Sequence, residues 1–246
     1  MIWETLPNYD ALSKRAALIL LDAIRADPRA VLGLPTGRTP IGMYDRVIAE
    51  CSRQYHCFRE VTTFNLDEYV GIPPEHPGSY CTFMKRHLFD HVDLDPARTH
   101  IPDGMAADPE AECARYERKI AAAGGLDLTF LGLGSNGHIA FNEPGTPFDS
   151  HTRVVALTPS TRQANESLFA GGNVPTHAIT MGIGTVLQSR RIVLLAGGKN
   201  KYDAIARLQS GERSIEFPAS ALWSHEDVLV LVDRAASSAR GDRVAL

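Results

Sequence analysis

The sequence lacks any excess of basic side chains. It has 25 Lys and Arg residues against 29 Asp and Glu residues, which gives a formal net charge of -4. Proteins that bind nucleic acid usually present a basic surface, so this balance argues against a nucleic-acid partner. It does not exclude a small anion, because a few local donors are enough to bind one phosphate group. The expected partner is therefore a small molecule.

Long apolar segments and cysteine pairs are also missing. No apolar run is long enough to cross a bilayer, and the N-terminus lacks the basic start and apolar run of a signal peptide. The cysteines are scattered, with no C-x-x-C pair, which indicates reduced and mostly buried thiols. They are Cys51, Cys57, Cys81 and Cys113. We therefore expect a cytoplasmic protein with no membrane partner.

What the sequence does have is a regular alternation of helical patterns and short β-rich apolar runs. The predicted strands are 30–34, 61–66, 126–131, 153–157, 177–181, 191–196 and 227–232. Because these runs are continuously apolar, both faces of the sheet should be covered. The sequence thus predicts a single α/β domain over residues 1–246, with a mostly parallel, Rossmann-like sheet flanked by helices on both faces. A first strand near residue 30 leaves no room for an N-terminal DNA-binding module.

Three helices are predicted here, and two of them have recognisable start signals. The apolar periodicity of residues 8–26 predicts an N-terminal helix. Asp108 with Pro109, and Thr158 with Pro159, each combine a capping side chain with a proline in the first turn. These signals divide the chain into strand and helix segments, so the polar residues that follow each strand become the candidates for function.

The first candidate is the segment PTGRTP, which follows the strand at 30–34. Thr39 and Pro40 are expected to begin a helix, as N-cap and first-turn residue. A strand, a glycine turn at Gly37 and a helix N-terminus together direct N–H groups towards an anion. Thr36 adds a hydroxyl donor and Arg38 adds charge. The spacing is not that of a Walker A motif, and an ordinary βα turn is the alternative.

The second candidate is the pair Asp67 and Glu68, directly after the strand at 61–66. A carboxylate that is shielded at a strand end has a raised pKa and can act as a general base. The alternative is that Asp67 caps a turn and that Glu68 is solvated.

The third candidate is LGLGSNGHIAFNEPG, residues 131–145, which has the G-x-G-x-x-G spacing of a dinucleotide-binding turn. That motif requires a helix after its third glycine, and Pro144 prevents one. We therefore expect no nicotinamide cofactor, but a compact loop that presents Asn136, His138 and Glu143. A histidine beside a glutamate can transfer a proton near neutral pH.

A metal site has little support in the sequence. His87 and His91 have the i,i+4 spacing that can bind a metal on one helix face, but no third ligand is evident nearby. The remaining histidines apart from His138 are expected to be structural. We therefore predict neither a metal nor another cofactor.

Taken together, these segments resemble a known family. LGLPTGRTP, FNLDEYVG, GSNGHIAFNEPG, AITMGIGT and GGKNK occur in this order. Over nearly the whole chain they resemble the glucosamine-6-phosphate deaminase (isomerase) family. LDEY and NGHIAFNEP are the specific motifs, whereas the glycine loop alone is not. FPASALW is similar to the shorter bacterial members and to galactosamine-6-phosphate isomerases.

The resemblance implies a role for each candidate. Asp67 is implied to move a proton between C2 and C1 of the open-chain sugar. His138 is implied to open the ring, with Glu143 as its partner and Asn136 assisting. The residues implied to bind the substrate phosphate are Thr36, Gly37, Arg38, Thr39 and Lys201.

The implied reaction is the isomerising deamination of an amino-sugar 6-phosphate, with glucosamine 6-phosphate giving fructose 6-phosphate and ammonia. It needs no cofactor, and its last step adds water, which places the enzyme formally with the hydrolases. Three alternatives stay open: a galactosamine-6-phosphate deaminase, a hydrolase of the 6-phosphogluconolactonase type, and a non-catalytic sugar-phosphate sensor.

Three positions depart from the family pattern. Arg38 stands where a small residue is usual, and Ser167 stands where the family has a phosphate-binding arginine. Val155 occupies a position that is basic in allosterically regulated members, and the long C-terminal extension of those members is absent, so we expect little activation by an acetylated sugar phosphate. The oligomeric state stays open, a homo-oligomer being one alternative, because related proteins range from monomers to hexamers.

Overall fold

The computed structural model describes residues 1–53, 58–166, 169 and 173–237. The strands are β1 (Ile2–Leu6), β2 (Val31–Leu34), β3 (Thr62–Asn65), β4 (Asp67–Tyr69), β5 (Thr99–His100), β6 (Leu128–Gly132), β7 (Arg153–Ala156), β8 (His177–Thr180), β9 (Arg191–Ala196) and β10 (Val228–Asp233). The α-helices are α1 (Tyr9–Ala26), α2 (Ile41–Cys51), α3 (Tyr80–His87), α4 (Pro109–Ala122), α5 (Pro159–Asn165), α6 (Ile183–Leu187) and α7 (Tyr202–Gln209).

Seven strands form one parallel sheet in the order β1-β10-β9-β6-β2-β3-β5. Helices cover both of its faces. Along β10, Leu229 and Leu231 pack into a core with α1, α2 and α3, whereas Val228, Val230 and Val232 pack into a second core with α4, α6 and α7. A strand that is buried on both faces has apolar residues at consecutive positions, without the alternation of apolar and polar residues seen in a half-exposed strand. The mostly parallel α/β sheet predicted from the sequence is confirmed.

The remaining three strands form a separate antiparallel sheet in the order β4-β8-β7. The runs at 153–157 and 177–181 were expected among the parallel strands, and that expectation was wrong. The small sheet has its own apolar cluster, which includes Tyr69, Tyr80 and Phe141. Short apolar runs do not reveal which sheet a strand joins, because that depends on partners distant in sequence.

The order of the main sheet reverses between β2 and β6. From β2 the chain passes through α2 to β3 on one side, whereas from β6 it continues to β9 on the other. The loops that follow β2 and β6 therefore diverge and leave a crevice beyond the carboxyl ends of the strands, where ligands bind in open α/β sheets.

The first strand was predicted near residue 30, and this was wrong, because β1 at Ile2–Leu6 pairs in parallel with β10 at the sheet edge. Glu4 and Thr5 interrupt its apolar pattern, as edge strands allow. The side chains of Asp108 and Thr158 accept N–H groups at the starts of α4 and α5, as predicted. The side chain of Asn8 does the same at the start of α1, where the helix but not its cap was predicted.

The thiols agree only in part with the expectation of buried cysteines. Cys113 is buried, but Cys51 and Cys81 are half-buried, and Cys57 lies outside the described residues. Across those residues, no helix has both the length and the apolar character needed to span a bilayer.

Candidate active site

A cavity of about 900 Å³ occupies the crevice beyond β2, β6 and β9. It is large enough for a small-molecule ligand. Of the nine candidate residues, the structure places eight in its lining: Thr36, Gly37, Arg38, Thr39, Asp67, Asn136, His138 and Lys201. The ninth, Glu143, lies behind His138, and its carboxylate is 3.5 Å from the Nδ1 atom of the imidazole.

The β2–α2 loop, residues 35–40, is fixed from below by buried side chains. The Tyr44 hydroxyl donates to the Pro35 carbonyl at 2.6 Å, and the Asn65 amide donates to the Leu34 carbonyl at 3.1 Å. Gly37 has a φ of +94°, a conformation that strongly favours glycine. The loop therefore has a fixed shape before any ligand binds.

The charged side chain of this loop, Arg38, is exposed at the cavity wall. Within the described ranges, no carboxylate lies within ion-pair distance of it, so its charge is available to an anion. Thr39 was predicted to cap α2, and this was wrong. The helix begins at Ile41 after Pro40, and no side chain of the loop caps it.

Lys201 reaches the same cavity from the end of β9. It ends a short 3₁₀ turn that begins after Gly198, whose φ is +89°. The Gly198 N–H donates to both carboxylate oxygens of Asp233, each at 3.1 Å, which ties the turn to β10. Burial lowers the pKa of Lys201. An anion bound in the cavity would favour its charged form.

Asp67 is only 5% exposed, although it lines the cavity. It is the first residue of β4 and pairs with Thr180 of β8. In the part of the chain that the structure describes, no group donates a hydrogen bond to its carboxylate. Burial, with a smaller contribution from the neighbouring charge of Glu68, raises the pKa of Asp67 to about 8. A carboxylate in this state is a strong base once it is deprotonated.

Glu68 is buried, not solvated as the alternative reading of the Asp-Glu pair would have it. Its carboxylate accepts the backbone N–H groups of Tyr69 (2.8 Å), Tyr80 (3.0 Å) and Cys81 (3.0 Å). Burial raises the pKa of Glu68 to about 6, against the opposing effect of these hydrogen bonds. Glu68 thus joins β4 to the first turn of α3 and points away from the cavity lining.

The glycines of GLGSNG shape the loop at 133–145 around a histidine. A Cβ atom on Gly134 would lie 2.5 Å from the His138 imidazole, and one on Gly137 would lie 2.1 Å from the Phe217 ring. Gly137 also has a φ of +87°. No helix follows the third glycine, as predicted. The glycine spacing therefore makes room for side chains and does not form a dinucleotide-binding turn.

The three polar candidates of this loop are connected. The Asn136 side-chain amide donates to Glu143 Oε2 at 2.7 Å, and its carbonyl oxygen accepts the His138 backbone N–H at 3.2 Å. The 3.5 Å between His138 Nδ1 and Glu143 Oε2 is at the limit of a hydrogen bond, and Nδ1 has no well-formed one. Glu143 therefore acts on the imidazole chiefly through its charge.

The other oxygen of Glu143 is held by α5. The hydroxyl of Thr161 donates to Oε1, and that of Thr158 lies 3.4 Å from it. Burial alone would raise the pKa of Glu143, but its contacts with His138, Thr161 and Asn136 outweigh burial and lower the pKa to about 2. Glu143 is therefore ionised at neutral pH and places a negative charge beside the imidazole of His138.

Sequence reasoning missed the residues that hold the site together. Thr161, in the first turn of α5, lies in the cavity lining and was not among the candidate residues. Tyr9 also lines the cavity, and no local pattern indicates this, since it arrives from α1. Ser167, where the family has an arginine, lies outside the described residues.

The structure does not assemble a metal centre. Among the described residues, no group of three or more His, Cys, Asp or Glu side chains could hold an ion. The His87 ring lies 4.5 Å from the Phe83 ring, and His91 Nε2 is 2.9 Å from the Arg86 carbonyl oxygen. Both histidines of the i,i+4 pair therefore have ordinary structural contacts.

Comparison with known proteins places this site in a family. A family model described as glucosamine-6-phosphate isomerases/6-phosphogluconolactonase matches residues 8–231. A glucosamine-6-phosphate deaminase of Bacillus pumilus (strain SAFR-032) is 51% identical over 234 residues, which cover 95% of this chain and 97% of the relative. One of Halothermothrix orenii is 50% identical over 232 residues, covering 94% and 96%.

Solved structures agree with this likeness. A structure described as a monomeric glucosamine-6-phosphate deaminase superposes with a TM-score of 0.94 at 48% identity and covers 96% of this chain and 98% of its own. The 6-phosphogluconolactonase of Trypanosoma cruzi superposes with a TM-score of 0.78 at 20% identity, covering 96% and 95%. The second likeness concerns the fold alone.

We predict that Gly134→Ala destabilises the protein by about 1–3 kcal/mol, because its Cβ would overlap the imidazole of His138. In a His138→Ala background the same change should cost much less, since the ring is gone. Urea unfolding of the two single variants and the double variant measures this coupling. Gly132→Ala is the control, because its Cβ meets no atom within 4 Å. Additive costs would contradict the packing role of Gly134.

We also predict that Asp67→Asn stabilises the fold at alkaline pH. The folded protein keeps a proton on Asp67 up to about pH 8, whereas the unfolded chain loses it near pH 3.8. Wild-type stability therefore falls as the pH rises between these values, and the variant escapes this loss. We expect no gain at pH 4 and a gain of about 1–3 kcal/mol at pH 8, measured by urea unfolding. Asp45→Asn, at an exposed site, should show no such trend.

Proposed function

The chain belongs to the glucosamine-6-phosphate isomerase/6-phosphogluconolactonase family, and from this premise we propose that it converts glucosamine 6-phosphate to fructose 6-phosphate and ammonia. The observation that carries the proposal is one cavity that combines three different groups. It contains a buried carboxylate of raised pKa, Asp67, a histidine backed by an ionised glutamate, and a loop suited to an anion.

The substrate phosphate is proposed to bind in the β2–α2 loop. Thr36, Gly37, Arg38 and Thr39 offer N–H groups, two hydroxyls and one charge, and Lys201 faces them from the end of β9. Arg38 forms no ion pair with a carboxylate among the described residues. Burial lowers the pKa of Lys201, so a nearby anion would stabilise its charged form. A dianion between them would be stabilised by both cations. This contact fixes one end of the sugar.

Ring opening is proposed for His138. A protonated imidazole can donate its proton to the ring oxygen, and the neutral imidazole that remains can take up the proton of the C1 hydroxyl, which yields the open-chain aldehyde and restores the imidazolium. Glu143, ionised because its pKa is held at about 2, supports the imidazolium, and Asn136 fixes the position of Glu143. Thr161 holds the other carboxylate oxygen, so the carboxylate cannot rotate away.

Isomerisation is proposed for Asp67. The C1 aldehyde and the C2 ammonium both acidify the C2–H bond, and the Asp67 carboxylate accepts this proton to give an enolamine. The same proton is returned to C1, which leaves an imine at C2. The raised pKa of Asp67 suits a group that must both take up and release a proton near neutral pH.

The last step releases ammonia. Water adds to the C2 imine, the carbinolamine collapses, and fructose 6-phosphate and ammonia leave. The sum is glucosamine 6-phosphate plus water giving fructose 6-phosphate plus ammonia, so the reaction is formally a hydrolysis as well as an isomerisation. The proposed steps use acid–base groups of the chain itself and no cofactor.

Two alternatives are less well supported. A lactonase would need a water activated against an ester carbonyl, and the shared fold with 6-phosphogluconolactonases does not explain a buried Asp67 beside the His138–Glu143 pair. A sensor would not need Asp67 at a raised pKa. Galactosamine 6-phosphate differs only at C4 and stays the closest competitor as substrate.

The proposal extends to location and assembly. A cytoplasmic location fits the thiols of Cys81 and Cys113, which form no disulfide. The similar solved deaminase is described as monomeric, which does not favour the homo-oligomer considered from the sequence.

The direct test measures ammonia release, with glutamate dehydrogenase as coupling enzyme, from glucosamine 6-phosphate, galactosamine 6-phosphate and glucosamine. We expect turnover of glucosamine 6-phosphate with formation of fructose 6-phosphate. Hydrolysis of 6-phosphogluconolactone without ammonia release from any amino sugar would overturn the proposal.

We predict that Asp67→Asn binds substrate but loses about 10²–10⁴-fold in kcat, the usual contribution of a general base. Exchange of the C2 hydrogen with deuterated water, followed by NMR, should fall in parallel with ammonia release. For the wild type, kcat/KM should rise with pH as Asp67 of the free enzyme deprotonates near pH 8. Near-normal exchange in the variant would remove Asp67 from the chemical step.

We further predict that Arg38→Ala and Lys201→Ala each lower kcat/KM for glucosamine 6-phosphate about 10- to 150-fold, the range for one charged hydrogen bond. With glucosamine, which lacks the phosphate, the loss should nearly vanish. Steady-state kinetics of both variants with both substrates test this. Arg98→Ala, a cation outside the cavity lining, is the control. If Arg38→Ala left the phosphorylated substrate unaffected, Arg38 would be an ordinary surface charge.

A further inference from the structure

Tyr9, the first residue of α1, forms hydrogen bonds to the β2–α2 loop from outside it. Its hydroxyl lies 2.9 Å from the Thr39 carbonyl oxygen and 3.1 Å from that of Arg38, and it accepts the Gly42 N–H at 2.9 Å. A tyrosine hydroxyl has one proton, so the two carbonyls share it, while a lone pair serves the amide. The proton of this hydroxyl is therefore directed at the loop, and its acceptor contact is with the start of α2.

These contacts determine which side of the loop faces the cavity. A loop that binds an anion through backbone N–H groups must turn its carbonyl oxygens away, since these repel the anion. Carbonyls that are turned away need donors elsewhere. Tyr9 provides this donor to the carbonyls of Arg38 and Thr39, which are two of the residues proposed to bind phosphate.

The same hydroxyl replaces a missing helix cap. No side chain of the loop caps α2, and Gly42 is the second residue of that helix, where an N–H has no partner within the helix. The Tyr9 hydroxyl accepts this N–H across 33 residues of sequence. The start of α2, and hence the end of the loop, is fixed by another helix.

The Tyr9 ring packs next to two glycines. A Cβ atom on Gly42 would lie 3.1 Å from Tyr9 Cε1, and one on Gly197 would lie 3.5 Å from Tyr9 Cδ2. Gly197 begins the segment that leads from β9 to Lys201. The ring therefore lies between the two segments proposed to hold the phosphate from opposite sides.

We propose that Tyr9 is a positioning residue for phosphate recognition, which sets the orientation of the β2–α2 loop relative to the Lys201 segment through its hydroxyl. The inference rests on the proposed function, because it takes the phosphate to bind in this loop. It assigns Tyr9 no part in the acid–base steps, which take place at Asp67 and His138.

The test is Tyr9→Phe, which removes only the hydroxyl. We expect KM for glucosamine 6-phosphate and the inhibition constant of inorganic phosphate to rise together, about 3- to 30-fold, as for the loss of one or two neutral hydrogen bonds. We expect kcat at saturation, and kcat/KM for glucosamine, to change less than twofold. If Tyr9 merely stabilised the fold, its loss would affect KM for glucosamine 6-phosphate, the inhibition constant of phosphate, kcat and kcat/KM for glucosamine alike.

Two controls separate the loop from its surroundings. Tyr202→Phe removes a hydroxyl from a tyrosine of matched exposure, 40% against 39% for Tyr9. Asp10→Ala breaks the ion pair between Asp10 and Arg46, which also joins α1 to α2 but does not touch the loop. Neither should raise the inhibition constant of phosphate. An equal rise in Asp10→Ala would assign the effect to general loosening of α1 and overturn the proposal.

Failure of the inference can be distinguished from failure of the proposed function. If the wild type prefers glucosamine 6-phosphate to glucosamine and is inhibited by phosphate, while Tyr9→Phe changes neither constant, only the role of Tyr9 is overturned. If the wild type neither prefers the phosphorylated sugar nor is inhibited by phosphate, the proposed phosphate site is overturned, and the role of Tyr9 with it.

Discussion

The pairing of β2 with β6 positions the two loops that carry most of the candidate site residues. Gly33 of β2 is paired with Thr129 of β6, and a Cβ atom on Gly33 would lie 2.4 Å from the Thr129 hydroxyl oxygen. The missing side chain thus allows the close approach of the two strands. Because the chain leaves them in opposite directions, the loops that follow them diverge, and the cavity forms between them. One loop offers N–H groups and Arg38, the other His138 and Glu143.

Three carboxylates near this cavity differ in state because their surroundings differ. Asp67 has no hydrogen-bond donor in the described part of the chain, and burial raises its pKa to about 8. Glu68, its neighbour, accepts three backbone N–H groups, and its pKa rises only to about 6. Glu143 has donors on both oxygens, and its pKa falls to about 2. Burial acts on all three, so the donors decide which group gains a proton and which stays ionised.

Local sequence patterns predicted the parts of this structure that local physics controls. The main sheet follows from apolar runs, the existence of α1 follows from its apolar periodicity, and the starts of α4 and α5 follow from capping side chains. The candidates in the loops after the predicted strands, Arg38 among them, could be chosen because parallel strands end at one edge, which brings together loops that are distant in sequence. Lys201 was implied by the family resemblance alone, and it lies in the same cavity lining.

The errors arose where a distant partner decides the outcome. β1 is an edge strand with an interrupted pattern, and only its pairing with β10 makes it a strand. Thr39 looks like a helix cap, but the cap function is taken over by Tyr9 from another helix. Glu68 looks like a solvated partner of Asp67, but the N-terminus of α3 buries it. None of these contacts leaves a periodic signal in the sequence.

The small antiparallel sheet connects two segments that carry candidate residues. The likeness to a 6-phosphogluconolactonase covers 96% of this chain at 20% identity, so the overall fold alone does not specify the chemistry. Within β8, Thr180 is paired with Asp67, and its hydroxyl also accepts the backbone N–H of Phe141 at 3.1 Å. The next residue, Met181, accepts the Asn142 side-chain amide at 2.9 Å.

The end of β8 therefore holds β4 on one side and the loop at 133–145 on the other. This shared attachment adds to the direct continuation of β3 into β4 and of β6 into the loop, so the buried carboxylate and the histidine loop are connected through both sheets. Two groups that are proposed to act in successive steps on one substrate need a fixed separation, because a misplacement of about 1 Å can cost 10²-fold in rate. The main sheet creates the cavity, and the two sheets together set the spacing of the groups proposed to act within it.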